Sequence, residues 1–407
     1  MSPEKLNSES PGQKLMIRLA FVLGGILLGI VTLALLNAFL FMFFAAMDRL
    51  YPEPGSGRGF DPLQAYGAAR VLRAYPDLEL REVEQLIEET WSRRLAKDAL
   101  IGHREGPYEG RYVNVDPNGF RRSLDQGPWP PDAEAFNVFM FGGSTTFGYG
   151  VPDDQTIPSY LQQRLSQETH SPVYVYNLGH GDYKLRHEYA LFSRMLGQGL
   201  VPDLAVFMDG VNEFVKPPQP HLSRLHAIMN RHRRSRLPPS GWIHSLPMAR
   251  LARSVMNSLD EMSLTTFDET TFDVPEMTRA VLEEYLAIKK KIEGVALRHD
   301  VPVAFVWQPV ASYDYDVEQH PFWQSESSEY VLELGFAAYG YREVERLARS
   351  NEIGDNFFWC ADAAAGVEGV HYVDLMHYSA IMHEHMANLI GDFLLGRDYL
   401  VGAAPSR

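Results

Sequence analysis

The residues best suited to chemistry in this chain lie far apart. The stretch FMFGGSTTFGYG, Phe139 to Gly150, is an apolar run that stops abruptly on two glycines and Ser144. A serine hydroxyl is a weak nucleophile at neutral pH. It needs a base to take its proton and a third group to orient that base. Far downstream, HYVDLMHYS holds both: His377 as the base and Asp374 as the orienting acid. They are three residues apart at the entrance to an expected helix, so both side chains can lie on one side of a single turn. Acyl transfer also needs donors for the developing oxyanion. The Ser144 backbone N–H is one candidate. The glycine turn in NLGHGDY offers a second, from Gly181 or from Asp182, and the Asn212 amide in DGVNEF a third.

These residues need elements that bring them together. FNVFMF, VYVYNLG, LAVFMDG and VPVAFVWQP are short apolar runs of strand length. Between and after them, IPSYLQQRLSQ, HEYALFSRMLG, a partly helical stretch over 221–299, YREVERLARS and SAIMHEHMANLIGDFLL carry helical periodicity. Strands alternating with helices predict a parallel sheet covered on both faces. In such sheets ligands bind beyond the carboxyl ends of the strands. Ser144, Gly181 and Asn212 each follow a predicted strand, and Asp374 and His377 precede the last helix. Taken singly, Ser144 or Asp374 would serve as a helix cap and Asn212 as a turn residue. Their shared placement favours chemistry.

The order Ser, Gly, Asn, then Asp-x-x-His resembles the SGNH (GDSL-like) hydrolase family over roughly 136–395. The resemblance implies a three-layer α/β/α doubly wound, flavodoxin-like fold. It also implies a Ser144–His377–Asp374 triad and an oxyanion hole of Ser144, Gly181 and Asn212. Two positions depart from the family pattern: Gly143 stands where it has Asp, and Glu213 where Asp follows the asparagine. The GGSTTFG start, with Gly119-Phe120-Arg121 upstream, is similar to a membrane-anchored bacterial subgroup.

Composition narrows the alternatives. The chain has 407 residues, of which 45% are hydrophobic, enough for a large core. A net charge of −15 argues against a broad nucleic-acid surface. The basic run Arg231–Arg236 reads as a solvated loop. A single cysteine, Cys360, excludes an intrachain disulfide and a cysteine-based zinc site, and it reads as a packed small hydrophobe. No GxSxG elbow, GxxxxGK[ST] or GxGxxG occurs, so no nucleotide cofactor is expected. His383 and His385 form no HExxH motif and read as packing or surface residues of the last helix, with no metal expected. Asp209 and Glu213 do not suggest a glycosidase pair.

Residues 15–47 are apolar except for Arg18 and a few small polar residues, longer than the roughly 20 a membrane helix needs. Lys5, Lys14 and Arg18 precede the run, which favours residues 1–14 in the cytoplasm and the main domain outside. Gly25 and Gly29 have the GxxxG spacing that lets helices pair. The expected organisation is this anchor, a Pro/Gly linker over 48–61, a connector over 62–135 (helical to residue 100, then turn-rich), and a hydrolase-like domain over 136–398. Insertions fall at about 215–275 and 311–332. The function expected is an extracytoplasmic serine esterase acting on an envelope-glycan O-acetyl group or a lipid ester. An O-acyltransferase with the same triad and a non-catalytic glycan-binding scaffold are the competing expectations.

Overall fold

The computed structural model describes residues 11–50, 61–93, 95–98, 101–169, 171–214, 274–316, 320–323, 328–397 and 399–400. Most of the expected linker, most of the 215–275 insertion and the basic run at 231–236 lie outside the described residues. The chain divides into two units. From the first, which comprises Met1–Pro54 and His221–Phe267, one helix is described, α1 (Pro11–Leu50), and Phe21, Leu28 and Leu35 on it are exposed. Among the described residues no helix is long and apolar enough to cross a membrane, so the anchor expected over 15–47 rests on the sequence run alone.

In the second unit, α2 (Pro62–Tyr66), α3 (Ala68–Val71) and α4 (Leu80–Trp91) come first. The helical reading to residue 100 fails after Trp91. There β1 (Leu95–Asp98) pairs antiparallel with β2 (Gly102–Glu105), a hairpin too short and polar to show period-two patterning. A second small ladder joins β3 (Tyr108–Glu109) and β4 (Asn114–Val115).

The main sheet follows. It contains β5 (Phe136–Gly142), β6 (Val173–Gly179), β7 (Leu204–Asp209), β8 (Val303–Trp307) and β9 (Phe357–Trp359), all parallel, in the order β6-β5-β7-β8-β9. Four of these are the predicted runs. The fifth, three residues in FFWCAD, is too short for a sequence signal and leaves Cys360 just past its end, buried as expected. Burial on both faces explains why the strands read as continuous apolar runs. Alternation still sorts their side chains: Val138 and Met140 enter one apolar cluster, Phe139 and Phe141 the other.

Between these strands lie α5 (Ser144–Phe147), α6 (Ile157–Ser166), α7 (Leu185–Gly197), α8 (Val211–Phe214), α9 (Val274–Leu297) and α10 (Ser328–Arg349), and after them α11 (Ala380–Leu395). Helices α6 and α11 pack together on one side of the sheet, and α7, α9 and α10 on the other. The result is the expected three-layer α/β/α sheet, with the 2-1-3-4-5 strand order of flavodoxin-like folds. The chain reverses direction across β5, whose neighbours are β6 and β7. The crevice beyond the end of β5 is therefore the topological switch point where such sheets bind ligands. Ser144 lies there.

Candidate active site

Strand β5 ends at Gly142, Gly143 is extended, and Ser144 opens the single turn of α5, which Gly148 closes in the left-handed region at φ 93°. The Gly148 and Tyr149 N–H groups donate to the Ser144 carbonyl at 2.9 and 3.0 Å. Two close approaches explain glycines here. A Cβ on Gly179, at the end of β6, would strike the Phe147 backbone nitrogen. A Cβ on Gly143 would lie 2.5 Å from Asn212 Nδ2. With Asn212 in this position, a side chain at 143 would require the amide to move.

Arg121 holds the far end of the turn. It is fully buried and donates to the carbonyls of Phe147 (2.9 Å), Gly148 (2.6 Å) and Val151 (2.7 Å), and to Asp153 Oδ1 (2.8 Å). Its own N–H donates to the Asn177 carbonyl at 3.0 Å, tying the segment to β6. A planar guanidinium suits several fixed acceptors at once.

The base arrives on a loop. Asp374 and His377 were expected on one helical turn. Instead they sit in a bend that ends before α11, closed by pairing of Tyr372 with Tyr378 and by the Val373 N–H on the His377 carbonyl at 2.8 Å. Asp374 Oδ1 accepts the N–H groups of Met376 (2.8 Å) and His377 (2.7 Å), leaving Oδ2 to meet His377 Nδ1 at 2.6 Å. His377 Nε2 lies 2.8 Å from Ser144 Oγ. With Asp374 ionised, Nδ1 carries the proton and Nε2 accepts from the serine hydroxyl. Burial alone would raise the Asp374 pKa. The His377 ring and these N–H donors outweigh it and hold the carboxyl below its ordinary value. The edge of the imidazole is walled by Trp91 and Tyr149, with ring centroids 5.8 and 5.3 Å away.

The residues expected to hold the oxyanion are arranged differently. Asn212, just past β7 on α8, donates Nδ2 to the Tyr183 carbonyl at 2.9 Å while lying against Gly143. The Gly181 N–H, one of the two expected backbone oxyanion donors, instead donates to Glu105 Oε1 at 3.4 Å, and Asp182 sits in the left-handed region at φ 60°. Glu105 pairs with Arg93 at 3.1 Å, both side chains almost wholly buried, and accepts the Tyr149 hydroxyl at 3.1 Å. Burial works to raise the Glu105 pKa, but Arg93, then His180, and the hydrogen bonds draw it below its ordinary value. The His180 ring accepts the Glu105 N–H at Nδ1 (3.2 Å), and burial pushes its pKa down to about 4. Its remaining ring proton is therefore on Nε2.

The structure thus brings together Ser144, His377 and Asp374, and places Asn212 and the Gly181–Asp182 turn beside the nucleophile strand. Sequence reasoning missed Trp91, Arg93, Glu105 and Tyr149: Arg93 and Glu105 carry no motif, Trp91 ends a helix read only for its periodicity, and Tyr149 lies in the serine stretch but was given no role there. Arg121 did carry a signal, as the end of Gly-Phe-Arg. His383 is a packing residue, as expected: its Nδ1 accepts the Ile157 N–H at 3.1 Å. Asp209 and Glu213 join Glu188 in a buried carboxylate group, where burial and mutual repulsion raise the Asp209 and Glu188 pKa values. Among the described residues no three His, Cys, Asp or Glu side chains are grouped to hold a metal ion.

No family model matches the chain, and no curated protein matches it. Solved structures to which it is similar include a lipase/acylhydrolase from Enterococcus faecalis, at 13% identity over 64% of this chain and 96% of that one, with a TM-score of 0.35. A member of the lipolytic protein G-D-S-L family from Veillonella parvula matches at 12% identity over 65% and 100%, with a TM-score of 0.34. A catalytic mutant of an acetylxylan esterase from Geobacillus stearothermophilus matches at 14% identity over 68% and 99%, with a TM-score of 0.34. Likenesses of this size carry no argument about the chemistry of this chain, which rests on the geometry of its own site.

Proposed function

We propose that this protein is a serine esterase of SGNH type. The observation that carries the reading is the unbroken chain from Ser144 Oγ to His377 Nε2 (2.8 Å) and from His377 Nδ1 to Asp374 Oδ2 (2.6 Å). In the proposed reaction Nε2 takes the Ser144 proton as Oγ attacks the ester carbonyl. The tetrahedral oxyanion meets the Ser144 N–H, the Asn212 amide and the Asp182 N–H, the Gly181 N–H being given to Glu105. The intermediate collapses, the C–O bond to the alcohol breaks, and the imidazolium returns its proton to the leaving oxygen. Water then gives a proton to Nε2 and attacks the acyl-serine, which releases the carboxylic acid and restores Ser144.

The anchor and its orientation are read from the apolar run 15–47 and the basic residues before it, which favour an inner-membrane protein with the catalytic domain on the periplasmic or extracellular side. An ester reachable there is an O-acetyl group on an envelope glycan or a lipid ester. The full-length wild-type protein should hydrolyse p-nitrophenyl acetate and react with a fluorophosphonate at Ser144. Ser144→Ala should lower the hydrolysis rate by about 10⁴-fold or more and abolish labelling. Equal rates for wild type and variant across several acyl lengths would sink the proposal. Acylated glycan formed in preference to free acid would move the reading to an acyltransferase.

A further inference from the structure

On the opposite side of the oxyanion turn lies a cavity of about 370 Å³ that the triad does not use. That volume falls in the range of small-molecule sites. Its floor is apolar, with Leu178, Leu191 and Met195, and the half-buried Trp129 forms one wall. Its rim is polar: Arg104, Asn118, Gln198, Arg194 and Asp98. Arg194 is already matched by Asp98 at 2.6 Å. Arg104 is not. Among the described residues it forms no ion pair, and its Nη1 lies over Gly119, 3.3 Å from where a Cβ would be. An unmatched guanidinium beside a concave surface is a bidentate receptor for a carboxylate. His180 also lines the cavity, neutral and with its proton on Nε2, so it adds a donor and no second charge. Two carboxamides at the rim suit hydroxyl groups, and an indole wall suits the C–H face of a ring.

We infer that this cavity binds an acidic sugar, its carboxylate on Arg104 and its ring against Trp129. The position gives the site a bearing on catalysis. The His180 side chain lines the cavity, while its backbone N–H donates to the Gly142 carbonyl at 3.0 Å, two residues before Ser144. Its neighbours Gly181 and Asp182 form the oxyanion turn. An occupant therefore touches the back of the turn that the esterase reading uses. The binding claim itself does not depend on that reading.

The test is calorimetric titration of the full-length protein with D-glucuronate, D-glucose and hexanoate. Glucuronate should bind saturably, and glucose and hexanoate at least about tenfold more weakly. Arg104→Gln should weaken glucuronate about tenfold or more, the size expected for a hydrogen bond to a charged group. Gln198→Ala, at an exposed position, should weaken it severalfold. Thermal unfolding midpoints matching wild type would show that both variants are folded. Absence of saturable glucuronate binding overturns the inference. So do equal affinity in folded Arg104→Gln, or hexanoate binding as tightly as glucuronate. If wild-type Ser144 failed to label while glucuronate still bound, the esterase reading would fall and this one would stand.

Discussion

The two halves of the site are built in opposite ways. The base half is local. Asp374 and His377 are three residues apart, and the same carboxylate that orients the ring also pins the loop through two backbone N–H groups. The half proposed to hold the oxyanion is assembled from distant segments. Asn212 is held by Tyr183, Gly181 faces Glu105, and Glu105 is held by Arg93. A local device needs few supports and fails all at once when a member is lost. A distributed device fails by degrees, and its supports contribute to folding as well as to chemistry.

Breaking the local half should give the largest effect. Asp374→Asn should lower kcat/KM by about 10⁴-fold, because the amide favours the wrong imidazole tautomer, with the melting temperature as the check that the loop survives. A loss under tenfold would mean that the loop alone orients His377. Removing one donor from the distributed half should cost less: Asn212→Ala about 10²- to 10³-fold in kcat with little change in KM. A loss confined to KM would make Asn212 a substrate-binding residue instead.

A support of that half should show itself in stability. Glu105→Gln leaves Arg93 buried without its counter-charge and should destabilise by about 3 kcal/mol in urea unfolding. Ser144→Ala should leave stability close to wild type. Equal stability of the two variants would show that the pair does not brace the turn.

The smallest effect, about 2 kcal/mol between pH 7 and 5, concerns pH. Burial holds His383 at about 3, so in the folded protein it stays neutral while the unfolded chain takes a proton below about pH 6.5. Its contribution to stability is therefore complete above pH 6.5 and is lost as pH falls toward 3. His383→Gln should flatten the stability–pH curve by up to about 1.4 kcal/mol per pH unit within that window. A curve parallel to wild type between pH 7 and 5 would refute it.

The same contrast explains what the sequence disclosed. Ser144, Asn212, Asp374 and His377 were legible because each sits at the end of a strong strand or the start of a helix, and buried parallel strands read as apolar runs. The Asp-x-x-His spacing pointed to the pair, although the turn that carries it is a closed bend and not a helix. Arg93 and Glu105 were hidden: one follows α4, the other closes a four-residue strand, and only tertiary packing makes them partners. Strand β9 was hidden for the same reason of length.

The Arg121 clamp has a consequence for where the catalytic unit begins. A fragment starting at Phe136 would retain every member of the triad and the whole parallel sheet. It would also leave the carbonyls of Phe147, Gly148 and Val151 without their common donor, and Glu105 and Arg93 would be gone from beneath the oxyanion turn. Val71, Val83 and Leu86 belong to the same apolar cluster as Val138 and Met140. The segment between the linker and β5 is therefore not a tether but the nucleophile's backrest. Any shortening of the chain that spares the chemistry has to stop before it.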